Sequence, residues 1–273
     1  MYLTLHQKIL SGYLVILILF WILLKFSGQT TSTWNYLYSF LFSLIPLLGG
    51  LVGIFLARQW GNLTSAIGRM ILFTSIGSFC WGAGSMVWSY YNFFYQISAP
   101  YPSIADIGFI LALPFWAAGM INLSKATGVR FALQNIRGRL FLGVVPVIVT
   151  AFSYYFLVTV ARDGVISDSY NNLLKLFFDF AYPLGDVLIL TLVVIIFGLS
   201  FKYFGGGFRF AVFAILLGFA VMYLADFIFS YTTTTETFYN GNYGDLVFTL
   251  ALFLITFGVF GFSSSAILKH TDT

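Results

Sequence analysis

Long apolar runs constrain this chain more than any other feature. Residues 187–200 and 246–262 contain no charged side chain, and comparable runs recur along most of the sequence. Lipid tolerates such a surface, whereas water does not. Charged residues make up only 8% of the chain, against about 25% in an ordinary soluble domain. The sequence therefore predicts a polytopic integral membrane protein without a soluble domain of appreciable size.

Eight apolar stretches are long enough to cross a bilayer as helices, which takes about 17 to 25 residues each. They predict an all-α fold with helices near 9–26, 37–57, 68–91, 104–123, 140–160, 173–200, 208–231 and 244–266. The first stretch follows His6 and Lys8, as in a signal peptide, but no small-residue cleavage site follows Lys25. We therefore predict that it is a helix.

Basic residues divide unequally between the two ends of these helices. One end receives only Lys25, Arg162 and Lys175. The other receives ten: Lys8, Arg58, Arg69, Lys125, Arg130, Arg137, Arg139, Lys202, Arg209 and Lys269. An excess of basic residues marks the cytoplasmic side, so both termini are predicted to be cytoplasmic in a plasma-membrane protein. On this interpretation the net charge of +4 reflects orientation and not a nucleic-acid partner.

The second half of the chain repeats motifs of the first. Residues 109–113 (FILAL), three positions after Asp106, return as 248–252 (FTLAL), three positions after Asp245, at an offset of 139. Three more pairs recur at offsets of 137 to 141, namely Trp88 with Phe229, Gly77 with Gly218 and Pro46 with Pro183. These pairs predict one transmembrane domain, 1–273, built from two parallel four-helix repeats at about 1–125 and 137–268. Such repeats usually enclose a cleft between them.

Acidic residues within the spans are the candidates for a ligand-binding site, because an ionisable group at membrane depth is expensive and normally faces the bundle interior. Asp179, Tyr182 and Asp186 are spaced i, i+3, i+7 and share one face of helix 6. Pro183 interrupts the same face and is expected to free a backbone carbonyl. The full predicted set is Asp106, Asp179, Tyr182, Asp186, Tyr223, Asp226 and Asp245.

Two interpretations of these aspartates remain open. No Lys or Arg occurs in the interior of a predicted span, apart from Lys25 and Lys175 near outer ends. A buried carboxylate then needs a proton, a hydrogen-bond donor or an incoming cation. The aspartates are therefore either neutral cross-links between helices or a site for protons, a metal ion or a cationic ligand. The many tyrosines of the outer half are predicted to form an interfacial belt, with a minority available for an aromatic cage.

Several activities are excluded at this stage. The only histidines, His6 and His270, fall at the two cytoplasmic ends, which excludes an intramembrane bis-His haem. One cysteine, Cys80, supports neither a disulfide framework nor a Cys-based metal site. No nucleophile and base motif is found. We predict no enzyme activity, cofactor or metal site, and we predict that the glycines at 49–53 and 77–84 allow close helix packing.

Four short motifs carry a family resemblance. They are 180–186 (FAYPLGD), 223–226 (YLAD), 243–245 (YGD) and 102–106 (PSIAD). With them, nearly the whole chain resembles the membrane-embedded N-terminal regions of bacterial and archaeal signalling proteins, which precede GGDEF-type cyclase or histidine kinase domains. The resemblance implies a sensory module with an outward-facing acidic and aromatic pocket. Because the sequence ends at Thr273 without an output domain, it would act as a stand-alone module through a separate partner protein.

Three functions thus remain from the sequence. The first is a receptor that binds a small or cationic ligand from the outer side. The second is a transporter for protons, cations or a small solute, with Asp186 as the coupling residue between two rocking repeats. The third is a structural or assembly role. Membrane lipids are expected partners in every case.

Overall fold

The structure is all-helical. The computed structural model describes residues 3–97, 99–167, 172–200 and 207–263, and it contains no strand within these ranges. Eight of its helices are long and apolar enough to cross a membrane, which confirms the predicted helical class and agrees with a multi-pass membrane protein. Lys202, Lys269 and His270, which entered the predictions above, lie outside the described residues.

The eight long helices follow the predicted order closely. They are α1 Leu5–Ser27, α2 Thr33–Ala57, α3 Ala66–Tyr90, α4 Ile104–Ala126, α5 Ile136–Ser153, α6 Leu173–Ser200, α7 Arg209–Thr234 and α8 Tyr243–Phe260. Wider π-helical turns extend α3 to Tyr95 and α5 to Val160. The predicted end of helix 8 at 266 lies outside the described residues, within which α8 ends at Phe260.

Polar caps explain why several helices begin earlier than their apolar runs. The Thr4 hydroxyl accepts a hydrogen bond from the Gln7 amide at 3.2 Å, and the Gln7 side chain accepts one from the Thr4 amide at 3.0 Å. This capping box satisfies two amides that the first turn leaves without partners. Asp106 and Asp245 hold the same third helical position in α4 and α8, behind the caps Ser103 and Asn242. Both aspartates therefore have a local role in starting a helix.

Glycines allow the central helices to pack at backbone contact, as predicted. A Cβ on Gly50 of α2 would lie 2.7 Å from the carbonyl oxygen of Ser75 in α3, and one on Gly82 would lie 2.6 Å from the amide nitrogen of Leu47. On the other side of α3, a Cβ on Gly108 of α4 would lie 2.6 Å from the amide nitrogen of Gly84. These three helices form a tightly packed layer that cannot accept larger residues at those points.

Gly50→Ala is expected to lower the free energy of unfolding by about 2 kcal/mol, because overpacking at a backbone contact forces the helices apart. The matched control is Gly143→Ala in α5, where no atom lies within 4 Å of the added Cβ and where alanine favours the helix by up to about 1 kcal/mol. Thermal unfolding of both variants in detergent measures the difference. Equal midpoints for the two variants would contradict the close α2–α3 packing.

Candidate ligand-binding cavity

The residues 28–32, 99–103, 161–167 and 235–242 connect helices at one end of the bundle. We call this the outer end, after its predicted orientation. Side chains link these connections: Asn35 Nδ2 donates to the Asn240 carbonyl at 2.8 Å, and the Tyr101 hydroxyl donates to Asp179 Oδ1 at 2.7 Å. A cavity of about 880 Å³ opens between α2, α3, α4, α6, α7 and α8 and reaches these connections. Its volume suits a small organic ligand, since such sites usually measure about 300 to 1,000 Å³.

The cavity lining combines acidic and aromatic side chains. Its acidic residues are Asp106, Asp163, Asp179, Asp186, Asp226, Glu236 and Asp245, and its basic residues are Arg162 and Lys175. Its aromatic residues are Phe42, Trp81, Trp88, Tyr101, Phe109, Trp116, Tyr182, Phe229, Phe238 and Phe248. Carboxyl groups outnumber cations by seven to two in this lining, so the cavity favours a positively charged occupant.

Six of the seven predicted site residues lie on this one cavity, namely Asp106, Asp179, Tyr182, Asp186, Asp226 and Asp245. Tyr223 is not part of its lining. The Tyr223 hydroxyl donates instead to Ser153 Oγ of α5 at 3.0 Å. Whether the other six bind a ligand stays a prediction.

Asp106 is held by donors from two helices. Its Oδ2 accepts hydrogen bonds from the Ser103 amide at 2.7 Å and the Ser103 hydroxyl at 3.2 Å, and its Oδ1 accepts one from the Tyr182 hydroxyl at 2.8 Å. The side chain is buried. These three donors satisfy the carboxyl group without a ligand. Asp106 therefore joins α4 to α6.

Asp245 and Asp179 are also satisfied by the chain. Asp245 Oδ2 accepts from the Gly241 amide at 2.6 Å and from the Ser39 hydroxyl at 3.0 Å, which joins α8 to α2. Asp179 Oδ1 accepts from the Tyr101 hydroxyl. Burial, and next the hydrogen bond to Asp179, raise the pKa of Tyr101 above its ordinary value, so Tyr101 remains a donor at physiological pH.

Asp186 and Asp226 are different, because each finds its hydrogen-bond partner in the other. Their carboxyl groups lie within hydrogen-bonding reach across the contact of α6 and α7, and no other donor to either is found in the described part of the chain. Both are partly exposed and both face the cavity. Ionised carboxylates only accept hydrogen bonds, so two neighbouring carboxyl groups need a proton or a cation between them. A cation in the cavity can replace that proton.

Arg162 supplies a cation that was not predicted, because only Lys and Arg within the predicted spans were considered as partners of the aspartates. Pro183 has no amide hydrogen, so the Asp179 carbonyl four residues earlier loses its helical partner. Arg162 Nη1 donates to that carbonyl at 3.0 Å and to the Ile166 carbonyl at 3.2 Å. The guanidinium interacts electrostatically with Asp186 from the cavity wall. It was missed because it comes from a connection and reaches into the bundle.

An aromatic cage does exist at the outer end, but the chain fills it. Lys25 Nζ lies 4.4 Å from the ring centre of Tyr243, 4.8 Å from that of Tyr239 and 5.2 Å from that of Trp21. It also donates to the Tyr239 hydroxyl. These contacts tie α1 to the connection that provides the Gly241 amide to Asp245. The cage is therefore a clamp within the protein and leaves the cavity as the place for a ligand.

The aromatic wall of the cavity was not predicted as part of the site. Trp81 of α3 lies 5.3 Å from Phe109 and 5.5 Å from Phe248 between ring centres. Trp88 lies 6.2 Å from Phe229. The signal was present, since Phe109 and Phe248 open the two copies of the repeated motif, but the motif was used only to detect the repeat.

The fold and the cavity together define a class, an all-helical protein with eight membrane-length helices around an acidic and aromatic cavity. Comparisons with family models, curated proteins and solved structures found no match. Every functional statement about this chain therefore rests on its own residues.

Proposed function

We propose that the chain is a receptor-like plasma-membrane module that binds a small organic cation in its outer cavity. The Asp186 and Asp226 pair carries this proposal, because these two carboxyl groups have no donor but each other within the described residues. A primary ammonium group offers three donors and can bridge both carboxylates once the shared proton leaves. The aromatic wall then packs against the rest of the ligand and adds cation–π attraction.

Two parallel four-helix repeats would place this cavity between the halves of the protein. A Cβ on Gly77 would lie 3.0 Å from the Ala112 carbonyl oxygen, and one on Gly218 would lie 3.1 Å from that of Ala251. These contacts join residues at offsets of 141 and 139, the offsets of the repeated motifs. The equivalent contacts of α3 with α4 and of α7 with α8 support the repeat.

A second pair of contacts supports the repeat from across the cavity. Asp106 in the first half accepts from Tyr182 in the second, whereas Asp245 in the second half accepts from Ser39 in the first. Each half of the protein thus donates a hydrogen bond to an aspartate in the first turn of a helix of the other half. Such reciprocal bonds are the pattern that a two-fold axis along the bundle produces.

The distribution of basic residues supports an outward-facing cavity with cytoplasmic termini. Among the described residues, the end opposite the cavity carries Lys8, Arg58, Arg69, Lys125, Arg130, Arg137, Arg139 and Arg209. Basic residues favour the cytoplasmic side and the anionic lipid there. A receptor of this design would pass its signal to a separate protein at the cytoplasmic end.

A transporter is the second candidate, and the position of the carboxyl pair along α6 favours it. Asp186 is fourteenth of the 28 residues of α6, so a shared proton lies near the middle of the helix. Exchange of that proton for a cation would couple the two fluxes, as intramembrane carboxylates do in many transporters. The two candidates use the same site and differ in whether the cation crosses.

A thermal-shift comparison of two ligands of similar size tests the cation site. Phenethylamine is expected to raise the unfolding midpoint of the purified protein, whereas 3-phenylpropionate, its carboxylate counterpart, leaves it unchanged. Binding to the folded state alone stabilises by about 2.7 kcal/mol at 100 times the dissociation constant. Equal shifts for the two ligands, or a shift with the carboxylate only, would sink the proposal.

Counterflow in liposomes separates the candidates. Saturable exchange of labelled phenethylamine against internal unlabelled amine supports the transporter. Binding without flux supports the receptor. Empty liposomes and liposomes with heat-unfolded protein control for passive leakage of the neutral amine.

A further inference from the structure

We propose that Ser85 and Ser89 of α3 form a second subsite, which binds an uncharged hydrogen-bonding end of the ligand. This inference rests on the proposed cation site at Asp186 and Asp226 and narrows its ligand class. The ligand would be an organic monocation with a hydroxyl or carbonyl group at its far end, such as a hydroxyaryl amine or an amino alcohol.

The Ser89 hydroxyl is the starting observation. Ser89 is 3% exposed and lines the cavity, yet its Oγ has no hydrogen-bond partner. A buried hydroxyl without a partner costs about 1 to 3 kcal/mol. Ser85 lies one turn deeper on the same face of α3 and is also a buried residue of the cavity wall. The pair presents two hydroxyl groups to the same space.

The other polar groups of this wall are already engaged with one another. Trp88 Nε1 donates to Asn240 Oδ1 at 3.1 Å, and the Ser39 hydroxyl donates to Asp245 Oδ2 at 3.0 Å. The Ser43 hydroxyl donates to the Ser39 carbonyl at 2.6 Å. The Ser89 hydroxyl thus has capacity for a ligand group.

The chemistry of the two subsites decides the class of ligand. Once the shared proton leaves, the carboxyl pair carries two negative charges, and the Arg162 guanidinium on the cavity wall offsets one of them. The remaining charge matches one ammonium group. The α3 subsite has hydroxyl groups and no carboxylate, so a second cation would be buried there without a partner, at a high cost. Trp81, Phe109 and Phe248 line the same cavity, with ring-centre distances of 5.3 and 5.5 Å from Trp81 to the other two, and they favour an apolar or aromatic section in the ligand.

A matched ligand series tests the subsite. Para-hydroxyphenyl alkylamines with one to four methylene groups, each paired with its analogue lacking the hydroxyl, are titrated into the detergent-solubilised protein by calorimetry. We expect the hydroxyl to tighten binding about fivefold at the best chain length, the value of one net hydrogen bond. In Ser89→Ala this preference is lost while the affinity for the unhydroxylated amine stays the same.

Ser75→Ala is the matched control. Ser75 of α3 is also buried with an unpartnered hydroxyl, but it faces Gly53 of α2 and is absent from the cavity lining. This variant should keep the fivefold preference. If Ser89→Ala keeps the preference, or if no chain length shows a preference, the subsite is overturned. The cation site still stands in that case if the amines bind. Failure of every amine to bind overturns both.

Discussion

Asp186→Asn should weaken the binding of organic amines about 100-fold. Removing one charge from a buried charge pair usually costs about 2 to 5 kcal/mol, and the Asp186 and Asp226 carboxyls have no other donors in the described structure that could compensate. Asparagine keeps the shape of the side chain, and its amide can donate to Asp226. The variant should therefore fold normally, and calorimetry with phenethylamine should register the loss of affinity.

Glu236→Gln is the control for this charge change. Glu236 lines the same cavity but is exposed in the outer connection, where water and salt screen its charge. We expect the Glu236→Gln variant to bind amines with an affinity within about twofold of wild type. If both variants lost affinity equally, the cavity would attract cations by its overall charge. If Asp186→Asn retained full affinity, the carboxyl pair would have only a structural role.

Asp245→Ala should lower the free energy of unfolding by about 3 kcal/mol, the largest stability effect that we expect. The substitution removes the acceptor of the Gly241 amide and of the Ser39 hydroxyl, both at 3.0 Å or less. Each buried donor left without an acceptor costs about 1 to 3 kcal/mol. The outer start of α8 would also lose its contact with α2, so thermal unfolding should shift clearly.

Asp245→Asn distinguishes the lost hydrogen bonds from the lost charge. An asparagine oxygen can still accept from the Gly241 amide, so we expect a loss of only about 1 kcal/mol. Equal losses for the two variants would mean that charge, and its interaction with Lys25, dominates. Neither variant removes the carboxyl pair, and amine binding at a temperature where both are folded should persist.

Six of the seven predicted site residues line one cavity, because helical spacing limits which residues can share a face. Asp179, Tyr182 and Asp186 follow one another along α6 at i, i+3 and i+7, and all three reach the cavity. Tyr223 and Asp226 have the same three-residue spacing as Asp179 and Tyr182, yet Tyr223 is not part of the lining and donates to Ser153 of α5. Spacing along one helix does not decide which neighbouring helix a side chain contacts.

The roles of the aspartates could not be predicted, because their donors are distant in the chain. Tyr182 is 76 residues from Asp106, Tyr101 is 78 residues from Asp179, and Ser39 is 206 residues from Asp245. Spacing along one helix contains no information on such partners. The sequence therefore offered five aspartates as candidates, and the structure separates three that have donors elsewhere in the chain from the Asp186 and Asp226 pair.

The sequence by itself determined the helical class, the eight membrane-length segments and their approximate bounds, because apolar length and polar caps are local properties that lipid and backbone amides require of any chain. Only the tertiary structure decided that Lys25 fills the aromatic cage, that Arg162 binds the carbonyl freed by Pro183, and that Asp186 and Asp226 meet. Each of these contacts needs a side chain from a distant segment within about 3 to 5 Å, and the packing of the folded chain sets that distance.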